Sequence, residues 1–246
     1  MEPKLLPAVL LSALSLICLM VVMRGLQIAL TKTTIAPARQ KNLIVTTYSI
    51  VAVWVLLVGI LSLNGFFSDF SKLPPRPLWV ILIPTVCFLI IAFRRTTGEI
   101  LLAIPPHWLV AMQTFRILVE ILLWKTFMLN LLPIQMTFEG SNFDGLSGLL
   151  AVPVAMILSK KWAPKLLLVF NLVGLLLLLN ILVIAVLSMP TPLRYFLNEP
   201  PNTLVGEFPF IYLGAVLVAI AQALHIFSLR QWWLLRKRDA MLQEQE

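Results

Sequence analysis

Apolar residues fall in seven long runs, and the short stretches between them hold nearly all the charge. The runs are roughly 5–23, 43–65, 78–93, 107–132, 145–159, 166–188 and 208–229. A helix needs about 20 apolar residues to cross the bilayer core, so each run is read as a transmembrane helix. The pattern predicts an all-α, polytopic membrane protein. It would be a single bundle of seven transmembrane helices with a short tail over 230–246. The third and fifth runs are short for a span, and each carries a central proline, Pro84 and Pro153. Such segments are either kinked helices whose freed carbonyls find partners on neighbours or broken helices that line a site. The first run is longer than a signal-peptide core, and no small-x-small cleavage site follows it. It is read as a retained span.

Charge supplies orientation. Thirteen basic residues flank one side: Arg24, Lys32, Arg39, Lys41, Arg94, Arg95, Lys160, Lys161, Lys165, Arg230, Arg236, Lys237 and Arg238. Four flank the other: Lys4, Lys72, Arg76 and Arg194. The remaining two, Arg116 and Lys125, lie within the fourth run. Cytoplasmic loops collect Lys and Arg, so the N-terminus is expected outside and the C-terminus in the cytoplasm, in a cell inner (plasma) membrane. The outer side carries Asp69, Glu139, Asp144, Glu199 and Glu207, with Pro-rich loops at 73–77, 189–192 and 199–201. The first cytoplasmic connection reads as long, Arg24 to Asn42. The stretch from Gln231 to Arg238 reads as an aromatic and basic anchor at the membrane surface.

Composition agrees. Of 246 residues, 60% are hydrophobic and 12% charged, against roughly a quarter charged in a soluble domain. That excludes a soluble enzyme, a disordered chain and a disulfide scaffold. The formal charge of +8 would suggest nucleic acid in a soluble protein. Here the basic residues simply flank helix ends, so no nucleic-acid partner is expected. The partner is the lipid bilayer. Cys18 and Cys87 lie in apolar runs and read as inert buried thiols.

The fourth run is the informative one. It should start at Pro105-Pro106 and stop before Pro133, which puts Glu120 near the membrane midplane and Arg116 one turn away. A charge there costs on the order of 2.5–3.5 kcal/mol, so both need partners. At about 100° per residue, Gln113, Arg116, Glu120 and Trp124 share one stripe. The expectation is a ladder within the helix, with Arg116 pairing Glu120 at i, i+4 and Gln113 reaching Arg116. That ladder is either an ion pair that locks helices together or a binding site.

The run leads into a polar loop from Met136 to Gly148. Asp144 or Ser141 could cap the next helix. Alternatively Glu139, Asn142 and Asp144 form an outward mouth above Glu120. Their spacing matches no EF-hand loop, and no metal or other cofactor is expected. The ligand-binding candidates are therefore Gln113, Arg116, Glu120, Glu139, Asn142 and Asp144. No catalytic residue is assigned. Asn171 and Asn180, nine apart, face opposite ways and should hydrogen-bond two neighbouring helices. Gln222, His225 and Ser228 share a face, and the only other histidine is His107. Packing is the expected role of both histidines, ahead of joint metal ligation.

The fourth-run ladder, the segments Met136-Thr137-Phe138-Glu139-Gly140 and Asn142-Phe143-Asp144, and Phe208-Pro209-Phe210 resemble a group of uncharacterised bacterial integral membrane proteins. The resemblance covers most of the chain from about residue 90. It implies a bacterial inner membrane and no particular activity.

Three functions fit the pattern. The first is binding or transport of a small polar solute, ion or lipid head group that enters past Glu139 to Asp144. Arg116 would then anchor an anionic group and Glu120 would switch by protonation. The second is a membrane-embedded enzyme acting on a lipid-like substrate, with Glu120 or Asp144 as general acid or base. The third is an accessory or sensor subunit with a membrane-protein partner. The first is preferred, because ionisable residues inside a membrane usually mark function.

Overall fold

The computed structural model describes residues 3–243. All regular structure among them is helical. The elements are α1 (Leu5–Thr31), α2 (Pro37–Leu63), α3 (Trp79–Ala92), α4 (Arg95–Ala103), α5 (Pro106–Ala111), α6 (Phe115–Met128), α7 (Gly145–Lys160), α8 (Pro164–Leu187) and α9 (Ala219–Gln243). A 3₁₀ turn, Met112–Thr114, joins α5 to α6, and a π turn, Leu213–Val218, leads into α9. Three helices begin on a proline, Pro37, Pro106 and Pro164. Proline suits that position because its missing N–H has no intrahelical partner there anyway.

A helix stands at each of the seven apolar runs, but not all are long enough to span alone. Five qualify by length and hydropathy: Leu5–Thr31, Pro37–Leu63, Pro106–Met128, Pro164–Leu187 and Leu213–Gln243. A sixth is reached if Arg76–Ala92 and Arg95–Ala103 count as one, although they meet at 82°. The helix α7 has 16 residues and is about 24 Å long, short of the roughly 30 Å hydrocarbon core. The outward faces are largely apolar. On α2, Ile50, Val53 and Leu56 are each over 60% exposed, which only a lipid surround makes favourable. The fold is that of a multi-pass membrane protein.

Several expectations change at the helix ends. The first connection is only residues 32–36, because α1 and α2 each run further than their apolar cores. Helix propensity continues through polar residues such as Gln27 and Arg39, where hydropathy fades. Pro84 and Pro153 sit inside unbroken helices, and the chain breaks instead at Phe93–Arg94. Cys18 is buried, but Cys87 is exposed on the apolar surface. Residues 230–243 continue α9 rather than forming a separate tail, and 244–246 lie outside the described residues. The buried Gln231 amide donates to the Leu101 and Ile104 carbonyls at 2.6 and 2.8 Å. These are the carbonyls that the end of α4 leaves without intrahelical donors.

The helix α9 is the axis of the bundle, packed by α3, α4, α5 and α8, while α7 packs against α5, α6 and α8. At one end of the bundle Lys4 meets Glu207 at 2.6 Å. The same end holds Arg76 with Asp69 at 2.8 Å and Arg194 with Glu199 at 3.0 Å. Hydrogen bonds from Ser71, aided by Arg76, hold the Asp69 carboxyl below its usual range. At the other end Arg39 donates to Thr96 at 3.0 Å and Trp162 to Asp239 at 2.9 Å.

Candidate functional site

Gln113, Arg116 and Glu120 are buried in the bundle, and each bonds a residue on a different neighbouring element, whereas Lys125 on α6 is exposed. Arg116 is only 2% exposed. Its Nε donates to one carboxylate oxygen of Asp144 at 2.8 Å, and its Nη2 donates to the other. This fork is the arrangement a guanidinium makes best, because two parallel N–H bonds match a carboxylate. A carboxylate four residues along the same helix cannot face it in that way. The expected Arg116–Glu120 pair therefore does not form, and Arg116 is bolted to the start of α7 instead. Nor does Gln113 reach Arg116. It donates to the Ala221 carbonyl on α9 at 3.1 Å.

The third Arg116 nitrogen, Nη1, lies 3.0 Å from Nε2 of His225. A guanidinium only donates, so Nε2 accepts and the imidazole proton is on Nδ1. Nδ1 then donates to Oδ1 of Asn171 at 2.9 Å. Asn171 passes the pattern on, donating to Ser228 at 2.8 Å and to the Leu167 carbonyl. Helices α6, α7, α8 and α9 are thus tied by one chain of directional bonds. Two glycines make room for it. A Cβ on Gly148 would stand 2.8 Å from Ile117 and 3.4 Å from Arg116, and a Cβ on Gly174 would collide with the His225 ring.

Glu120 has a different setting. It is 8% exposed. Oε2 accepts from Nδ2 of Asn142 at 2.6 Å, and the Phe138 backbone amide faces the same carboxyl group. Oε1 is buried without a hydrogen-bond partner. Asn142 is itself fully used: it also donates to the Met136 carbonyl at 3.0 Å and accepts from the Asp144 N–H at 3.0 Å. This explains why neither expected cap forms at α7. Asp144 enters the helix in helical geometry with no side-chain cap bond, because its carboxylate is turned inward to Arg116. Ser141 only lends its carbonyl, to Asn180 of α8 at 2.8 Å.

A cleft of about 70 Å³ runs beside Glu120 between α3 and α8. Its lining includes Pro77, Met189 and Val205, on the side of the Pro-rich loops, and Glu120, Asn142 and Asp144. The structure therefore gathers Arg116, Glu120, Asn142 and Asp144 into one cluster. Gln113 stays a turn away. Glu139 lies apart at the surface, accepting from the Trp124 indole at 2.7 Å. Sequence reasoning passed over His225 and Asn171 as members of this cluster. Their signal was burial of polar residues on apolar helix faces, which does not by itself say what they meet. No three His, Cys, Asp or Glu side chains converge as a metal site among the described residues.

A multi-pass helical bundle with a buried ionic cluster is a class of protein rather than an identity. The chain belongs to the family described as domain of unknown function DUF8737, whose profile matches residues 75–235. Every cluster residue lies inside that match, and α1 and α2 lie outside it. No curated protein and no solved structure matches the chain.

Proposed function

We propose that the chain is a seven-helix protein of a cell inner membrane, N-terminus outside and C-terminus cytoplasmic. In this reading it binds or transports a small polar solute, ion or lipid head group at Glu120, reached from the outer side. The observation that carries the reading is Glu120, a residue lining a cleft whose buried Oε1 has no hydrogen-bond partner. A buried carboxyl oxygen without a partner is costly, and a ligand would satisfy it. Arg116 is not part of the ligand contact in this proposal, because Asp144 and His225 already take its donors. The topology is supported by the grouping of charged residues at the two ends, and by the excess of Lys and Arg at the end assigned to the cytoplasm.

The test is access. Cys18 and Cys87 are replaced by alanine, and Val119, which lines the cleft beside Glu120, is replaced by cysteine. A membrane-impermeant thiol reagent is then applied to each side of sealed vesicles. Modification from the outer side of the folded protein is expected. Modification only after denaturation would sink the reading of an outward-reached site, and modification only from the other side would reverse its orientation.

A further inference from the structure

The cleft walls narrow the ligand class. Resting on the Glu120 reading above, we propose that the cleft takes the head of a single-chain amphiphile whose head donates a hydrogen bond, an alcohol or an amine. Three observations lead there. The polar lining is confined to one end, at Glu120, Asn142 and Asp144, while Val80, Ile81, Leu178, Ile181, Leu182 and Gly214 make an apolar body. A hydrated ion or a sugar would need polar contacts along its whole length, and the walls offer none. The free atom is an acceptor. The Asn142 amide is spent on Glu120, Met136 and Asp144, and the Arg116 guanidinium is turned to Asp144, His225 and the Gly174 carbonyl. That leaves Oε1 of Glu120. An anionic head would face the carboxyl groups of Glu120 and Asp144.

Size and opening set the rest. At about 70 Å³, and with one water taking roughly 10–15 Å³, the cleft holds about five water-sized groups. That is a head and the first few methylenes, not a whole two-chain lipid. α3 and α8 pack on α9 from either side, and the cleft lies between them. The remaining chain leaves between these two helices along the half-exposed Leu182 and Val186. The π turn Leu213–Val218 lines this gap through Leu213, Gly214 and Val218. Gly214 lets α3 come close, since a Cβ there would stand 3.2 Å from Val80. π turns of this kind recur at functional sites.

The test uses the full chain in phosphatidylcholine nanodiscs with a hexadecanol that carries a photoreactive diazirine near its head. Crosslinks are expected on the peptides holding Val80–Ile81 and Leu178–Leu182, and are mapped by mass spectrometry. Glu120→Leu should cut them about tenfold, and Leu182→Trp, which fills the cleft, by a similar factor. Glu120→Gln keeps an acceptor and should hold labelling within about twofold, which separates loss of the contact from loss of the fold. Unlabelled hexadecanol should compete and butanol should not. Equal competition by butanol would overturn the apolar-tail inference but leave Glu120 as a small-solute site. Equal labelling by the matching diazirine fatty acid would overturn the head chemistry. Labelling unchanged in Glu120→Leu and in Leu182→Trp would overturn both this inference and the Glu120 reading.

Discussion

Arg116 and Glu120 are one turn apart on the same helix face, and the bundle treats them in opposite ways. Arg116 is satisfied on two sides, by a forked bond to Asp144 and by the His225–Asn171–Ser228 chain. Glu120 keeps one oxygen bonded to Asn142 and the other unpartnered beside a cleft. The difference teaches that a buried charge does not by itself mark a site. A charge whose bonding capacity is filled by the protein holds helices in register. A charge left partly unfilled, next to space, is where a ligand can contribute.

The contrast is broken most severely at Asp144. Asp144→Ala leaves Arg116 buried without its counter-ion and should cost about 3–5 kcal/mol. This would be read as a large fall in the thermal unfolding midpoint of the purified protein, or as loss of folded protein altogether. The double change Arg116→Met with Asp144→Leu should recover most of that loss, because a well-packed apolar pair avoids the desolvation of both ions. An Asp144→Ala protein as stable as the parent would mean that Arg116 is not held in the way described.

A smaller effect is expected on the other arm of the Arg116 network. Gly174→Ala drives a methyl into the His225 ring and should cost about 1–3 kcal/mol through overpacking. Unfolding in graded denaturant would measure it. The same substitution at Gly25, which has nothing within 4 Å of its Cβ position, serves as the control and should not destabilise.

Glu120 supplies the sharpest comparison. Glu120→Gln keeps the size and an acceptor for Asn142, so stability should change by no more than about 1 kcal/mol. A loss as large as that from Asp144→Ala would show that Glu120 is structural in the same sense as Arg116, and the contrast would disappear.

The smallest effect concerns the loop at residues 69–76. Hydrogen bonds from Ser71 and the Arg76 charge lower the Asp69 carboxyl in the folded protein. Its contribution is therefore complete above the unfolded value of about 3.9 and is lost as pH falls through the lower folded value. Amide exchange in residues 69–76 should quicken over that acidic window. Asp69→Asn should quicken it at neutral pH and flatten the pH dependence. Because the group is exposed, the remainder of the bundle should be indifferent.

Much of the fold was legible because a bilayer imposes simple rules. A helix stands at each apolar run, Pro105-Pro106 opens the fourth as its position implies, and Asn171 bonds a neighbouring helix as expected, while Asn180 meets the Ser141 carbonyl in a loop instead. Helix ends were less legible. Hydropathy marks where a helix is apolar and not where it stops, so the loop at 32–36 looked longer and α9 looked shorter. Partner choice at the site was legible only in outline. Gln113, Arg116 and Glu120 had to face inward, and Asn142 and Asp144 stood out in a dense polar loop. Spacing along one helix suggested an Arg116–Glu120 pair, because that is the contact a single helix can make alone.

What the chain determines by itself is what depends on local chemistry. Long apolar runs must be helices in lipid, because no water is there to bond the backbone. Charges near the middle of a span are costly against acyl chains and turn inward, and basic residues gather at one end. What only the tertiary structure decided is which charge meets which. Asp144 stands 28 positions from Arg116 and His225 stands 109 positions away. They meet because glycines at 148 and 174 let the helices approach closely enough for short, directional bonds. Hydrogen bonds and forked ion pairs depend on angles and on tenths of an ångström, and those are set by packing rather than by any pattern along the chain.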